Sequence, residues 1–90
     1  MNQRHLYEYL KVHACVDCGE QDPLVLEFDH VRGRKKGNIA QMAHTHVWET
    51  VLQEIEKCDV RCANCHRRKS AHQLGWAKAL LAAEDRARVA

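Results

Sequence analysis

The sequence predicts a small α+β domain with little sheet, held together by a metal staple. Three observations lead there. A chain of 90 residues makes one compact domain with a modest core. Two Cys-x-x-Cys pairs, Cys15 with Cys18 and Cys62 with Cys65, frame its middle. Around them, short apolar segments switch between the period of a strand and that of a helix.

The elements follow in chain order. Residues 2–13 read as a short helix, with Leu6, Tyr9, Leu10 and His13 at helical spacing. Cys15-Val-Asp-Cys18-Gly19 is a tight turn, in which Gly19 supplies the positive φ that ends a metal knuckle. Gln21-Asp22-Pro23 is a turn signal. Leu24 to Phe28 reads as a strand with Leu24, Leu26 and Phe28 on one face, and it leads into Asp29-His30. Residues 31–38, with two glycines and four basic side chains, form a loop. Residues 47–57 make an amphipathic helix on which Trp48, Val51, Leu52 and Ile55 share a face, and Thr45 is placed to cap it. Lys57 to Arg61 is a second short strand or extended segment, and Cys62-Ala-Asn-Cys65 a second knuckle. A helix then begins from His66, bends or breaks around Gly75, and runs through the alanine-rich Trp76–Val89 stretch. The faces carrying Trp48 and Leu80/Leu81 are assigned to the core. An apolar C-terminal stripe could instead mediate dimerisation, and the sequence leaves the oligomeric state open. The whole is one domain over 1–90, with a motif core over about 15–69 and flanking helices over 2–13 and about 66–89.

No apolar run approaches the roughly 20 residues of a membrane span, and the N-terminus lacks a secretory pattern. A reduced cytoplasm is therefore expected, where clustered cysteines are metal ligands more often than cystines. Fourteen basic against twelve acidic residues give a net charge of +2, too little to argue nucleic-acid binding from the total. The distribution says more. Arg32, Arg34, Lys35 and Lys36 form one dense basic cluster and Arg67, Arg68 and Lys69 another. Each follows a histidine of interest, where a phosphate backbone would approach.

Two thiolates separated by two residues reach one ion, and two such pairs complete a tetrahedral site for Zn²⁺. The 43 residues between the pairs mean that the ion pins distant parts of the chain. With four thiolates it has no open position and is structural. Cys58, the odd cysteine, reads either as a fifth thiol near the zinc or as a small buried residue at a strand start.

A structural zinc leaves Asp29, His30 and His66 unexplained. Carboxylate and imidazole ligands can share a divalent cation that binds a scissile phosphate, and a neutral histidine beside them can take a proton from water. Asp29 and His30 are neighbours on a strand, so they point to opposite faces unless the backbone twists. His5, His13, His44, His46 and His72 lack such context and read as surface or packing residues.

Cys-x-x-Cys-Gly, then Leu-Glu-Phe-Asp29-His30, then Cys-x-x-Cys65-His66 with Lys69 following, resembles an HNH endonuclease of the ββα-metal class. The resemblance runs over roughly 60% of the chain, from Cys15 to Lys69. It implies a ββα-metal fold cutting phosphodiester bonds in DNA with Mg²⁺ or Mn²⁺, leaving a 5′-phosphate and a 3′-hydroxyl. Asp29 and His66 would be the ligands of the catalytic ion and His30 the base that activates water. The family is commonly encoded by phage or bacteria, which allows a larger phage or bacterial assembly as partner. The sequence departs from the pattern at one place. The family's middle asparagine, which orients the base histidine by bonding backbone across the loop, falls on Lys57. Asn64 and Asn38 are the candidate stand-ins, and Asn64 reads equally as a turn residue with a left-handed backbone.

Two functions from different classes follow. One is a metal-dependent nuclease, nicking because one site cuts one strand at a time, with weak sequence preference. The other is a non-catalytic zinc-stapled module that binds DNA or protein, which Lys57 favours and the trio Asp29, His30 and His66 disfavours. A thiol redox protein would need no second Cys-x-x-Cys pair.

Overall fold

The computed structural model describes residues 2–89. Among them it is an α+β arrangement of five α-helices and a two-stranded sheet. The first helix, α1 (Asn2–Lys11), is shorter than the sequence suggests. Its last turn tightens as Val12 and His13 donate to the carbonyls of Tyr9 and Leu10, and His13 stacks on Tyr9 with ring centroids 3.8 Å apart.

The first strand begins two residues later than its apolar pattern suggests. Asp22 accepts from the backbone N–H of Leu24, and Pro23 opens a single 3₁₀ turn over Pro23–Val25, so Leu24 is thrown outward and is 91% exposed. The strand β1 (Leu26–His30) therefore carries Asp29 and His30 within it. It pairs antiparallel with β2 (Cys58–Cys62), setting Leu26 opposite Cys62 and His30 opposite Cys58. An isolated two-stranded ribbon is marginal in water, so this one depends on what packs against it.

An unexpected helix, α2 (Ile39–Thr45), follows the basic loop. Asn38 caps it by accepting from the N–H groups of Ala40 and Gln41, and Ile39, Met42 and Ala43 are buried. Thr45 therefore closes α2 instead of capping the next helix, and its hydroxyl donates back to Gln41 O. The helix α3 (Trp48–Ile55) starts at Val47 without a side-chain cap. It buries Val51 and Ile55 as expected, and Glu54 with them.

The last helix is two helices. Cys62 Sγ accepts from the N–H of Cys65, so α4 (Ala63–Gln73) begins inside the second knuckle, three residues before His66. Gly75 at φ +64° breaks the chain between α4 and α5 (Ala77–Val89). Leu80 and Leu81 are 62% and 59% exposed, so the expectation that they belong to the core fails. Their helix lies against α4, and Arg67 of α4 sits 5.6 Å over the ring of Trp76, the residue before α5.

The core is two small clusters. Cys15, Leu26, Val60, Cys62 and Cys65 form one, and Ile39, Met42, Val51, Ile55 and Cys58 the other. Tyr9 and Phe28 touch both and so join the cysteine-rich end to the α2–α3 end. No helix among the described residues is long and apolar enough to cross a membrane.

Candidate functional site

Cys15, Cys18, Cys62 and Cys65 bring their sulfurs within 4.8 Å of one another. The first knuckle is shaped by backbone: Gly19 N–H donates to Cys15 O, Cys15 N–H to Glu20 O, and Gly19 turns at φ +79°. A further bond from Val16 N–H to Val60 O docks the knuckle on β2. Four sulfurs at about 2.3 Å from a common centre would stand ~3.8 Å apart. Cys18 and Cys62 stand 3.7 Å apart, so the cluster could hold a tetrahedral metal ion such as zinc. Cys58 lies outside it, buried, with its thiol donating to Glu54 O at 3.6 Å. Burial pushes that thiol up to about 11, and it is the small buried residue at a strand start.

The alternation of β1 keeps Asp29 and His30 with different partners. On one face Glu27 and Asp29 stand beside Arg61 of β2 and the α4 side chains of His66 and Lys69. Arg61 Nη1 and Lys69 Nζ both reach Asp29 Oδ2 at 2.8 Å. Burial pushes the Asp29 carboxyl up, but hydrogen bonding to Lys69 and the charges of Lys69, His66 and Arg61 outweigh it and hold it below its usual range. The other oxygen, Oδ1, faces His66 Nε2 at 3.5 Å. The opposite nitrogen, Nδ1, lies 2.8 Å from Glu27 Oε1. A carboxylate only accepts, so the shared proton sits on Nδ1.

On the other face, His30 Nε2 lies 3.0 Å from Glu54 Oε2. Glu54 is 2% exposed and has three donors: His30, the Lys36 N–H at 2.9 Å on the same oxygen, and Lys57 Nζ at 2.8 Å on Oε1. The Lys57 ammonium, assisted by Lys36 and His30 and against the effect of burial, holds the Glu54 carboxyl down at about 2. His30 and His66 both line a groove of about 530 Å³, together with Leu6, Leu10, Leu26, Phe28 and Lys35.

The basic residues divide by role. Arg32 bonds Asp59 and the carbonyls of Glu56 and Cys58, which makes it a strut on β2. Lys69 is held by Asp29, and Arg68 leans on Cys65 Sγ at 3.9 Å. Arg34, Lys35 and Lys36 are exposed on the loop and make no ion pair among the described residues. Asn38 is the cap of α2, and Asn64 is exposed in the first turn of α4. No non-glycine residue described has a positive φ, so Asn64 is not a left-handed turn residue. The cross-loop tie comes from Lys57 itself, whose Nζ donates to Arg34 O at 2.7 Å while its carbonyl accepts from Val31 and Arg32.

Glu27, Glu54 and Arg61 are the site residues that sequence reasoning missed. The signals were present: Glu27 is two residues before Asp29 on a strand, and Glu54 falls between Val51 and Ile55 on the apolar face of α3. No family of known proteins, no curated protein and no solved structure matches this chain.

Proposed function

We propose that the chain is a divalent-metal-dependent endonuclease of the HNH type that hydrolyses phosphodiester bonds in DNA. One observation carries the reading. Asp29 Oδ1 and His66 Nε2 face each other at 3.5 Å, and His30, next in the chain to Asp29, shares the lip of a groove with His66. Asp29 and His66 would hold the ion, with Glu27 fixing the ring of His66. When bound, Mg²⁺ or Mn²⁺ supplies charge stabilisation at the scissile phosphate.

The chain's own residues supply the remaining steps. His30 carries its proton on Nε2, towards Glu54, which leaves Nδ1 to take a proton from the attacking water. Arg34, Lys35 and Lys36 are exposed on the loop that follows that histidine, where they would meet flanking phosphates. Zinc at the four cysteines would fix the start of α4, and with it His66, against the strands. The ββα-metal architecture follows as part of the same proposal: two antiparallel strands and the helix after them carry all three residues.

Supercoiled plasmid incubated with the protein and Mn²⁺ or Mg²⁺ tests it. The expected result is conversion to open circle, abolished by EDTA and by His30→Ala. A folded, zinc-loaded wild type that leaves the plasmid intact would overturn the nuclease in favour of a zinc-stapled binding module.

A further inference from the structure

We infer that Glu54, clamped by Lys57, is the positioning residue of His30 and does here what an asparagine does in the family the sequence resembles. Its catalytic consequence rests on the nuclease reading; its geometry does not.

A carboxylate as buried as Glu54 is an odd choice for packing. On α3 it lies between Val51 and Ile55, where an apolar side chain would bury well and need no partners. What distinguishes the carboxylate is the set of donors that converge on it. They come from three segments: the end of β1 through His30, the basic loop through Lys36 N–H, and the turn between α3 and β2 through Lys57. Lys57 extends the clamp, since its ammonium also bonds Arg34 O and its methylenes lie 3.5 Å from where a Cβ on Gly33 would stand. The strand end and the loop after it are thus fixed to one buried charge.

One effect on His30 follows. The acceptor fixes which nitrogen carries the proton and the rotation of the ring, which leaves Nδ1 for the water. A plain loop staple would not act on the ring, and its loss would register only as lower stability and weaker DNA binding, with kcat unchanged.

Two variants separate positioning from stapling: Glu54→Gln, whose single amide oxygen cannot accept both from Lys57 and from His30 with Lys36, and Glu54→Met with Lys57→Met, which replaces the ion pair by apolar groups of similar size. Plasmid nicking with Mn²⁺ would be measured for kcat and KM, alongside zinc content and melting. Both variants should retain zinc and lose about 10- to 100-fold in kcat, with KM held within about threefold. A proton signal from the His30 imidazole N–H, protected from solvent in the wild type, should vanish in the double variant. An unchanged kcat in either folded variant, a loss confined to KM, or no protected signal in the wild type would overturn the inference. If the wild type does not cut DNA, the nuclease reading falls, and the imidazole signal alone still decides whether Glu54 holds His30.

Discussion

Asp29 Oδ1 and His66 Nε2 stand 3.5 Å apart, and on the far side of the ring His66 Nδ1 donates to Glu27 Oε1 at 2.8 Å. In the proposed nuclease these two atoms would share the catalytic ion. His66→Ala should therefore abolish Mn²⁺ binding, read by calorimetry or by electron paramagnetic resonance. The fold should survive, because the Glu27–His66 pair is partly exposed and is worth under about 1 kcal/mol. Asp29→Asn should abolish binding too, at a larger stability cost of about 2 kcal/mol, since Arg61 and Lys69 lose a shared partner. Undiminished Mn²⁺ affinity in His66→Ala would remove the histidine from the metal site.

The four-cysteine cluster predicts a sharp difference between two cysteine substitutions. Cys58→Ala should keep one zinc per chain and cost about 1 kcal/mol, as a small buried truncation does. Cys62→Ala should lose the zinc and unfold the domain, because it removes a ligand and the acceptor that starts α4. Metal analysis of both purified variants decides it. Zinc retained at full stoichiometry in Cys62→Ala would contradict the site.

The cysteine cluster and the Asp29–His66 pairing were legible in the sequence to different depths. The knuckles announce themselves, because thiolates sharing one ion need short fixed spacings, and Gly19 marks the turn. Asp29 and His66 are 37 positions apart, and only the strand pairing and the start of α4 bring them together. The seven-residue α2 was overlooked because Ile39, Met42 and Ala43 give barely one period of a helical pattern, with Asn38 the sole boundary signal. Glu54 hid in plain view. An acid on an amphipathic helix reads as solvated, and its burial becomes visible only when His30, Lys36 and Lys57 are seen around it. Lys57 looked like a lost asparagine, yet it makes a cross-loop bond of its own.

Glu54 also sets an acid limit on stability. Its folded-state value of about 2 lies below its ordinary 4.5, so the stabilisation is full above that ordinary value and is lost as pH falls towards 2. The amount is on the order of 3 kcal/mol. Release of a zinc held by the four cysteines would also destabilise the domain in acid, so the informative quantity is the difference between wild type and Glu54→Gln. That difference, from denaturant titrations, should be large at neutral pH and shrink towards zero near the bottom of the window. A gap that stays constant with pH would show that the charge of Glu54 contributes nothing to the fold.

The basic loop makes the last prediction, and it turns on which of its cations are tied down. Arg32 bonds Asp59 and two carbonyls of the chain, whereas Arg34, Lys35 and Lys36 are exposed without ion-pair partners among the described residues. Each exposed cation that neutralises a phosphate adds about 0.9 to the slope of log affinity against log salt on duplex DNA. Replacing all three by serine should therefore lower that slope by roughly 2 to 3 and weaken binding evenly across unrelated sequences. Arg32→Ser should behave differently, lowering the melting temperature because the backbone of β2 loses its strut, with a change in salt slope below about 1. Anisotropy titrations of a labelled duplex at several salt concentrations distinguish the two. Equal effects on the salt slope from Arg32→Ser and from the triple variant would mean that the internal bonds of Arg32 give way on DNA, and a flat salt response in the wild type would mean that this loop does not bind the phosphate backbone.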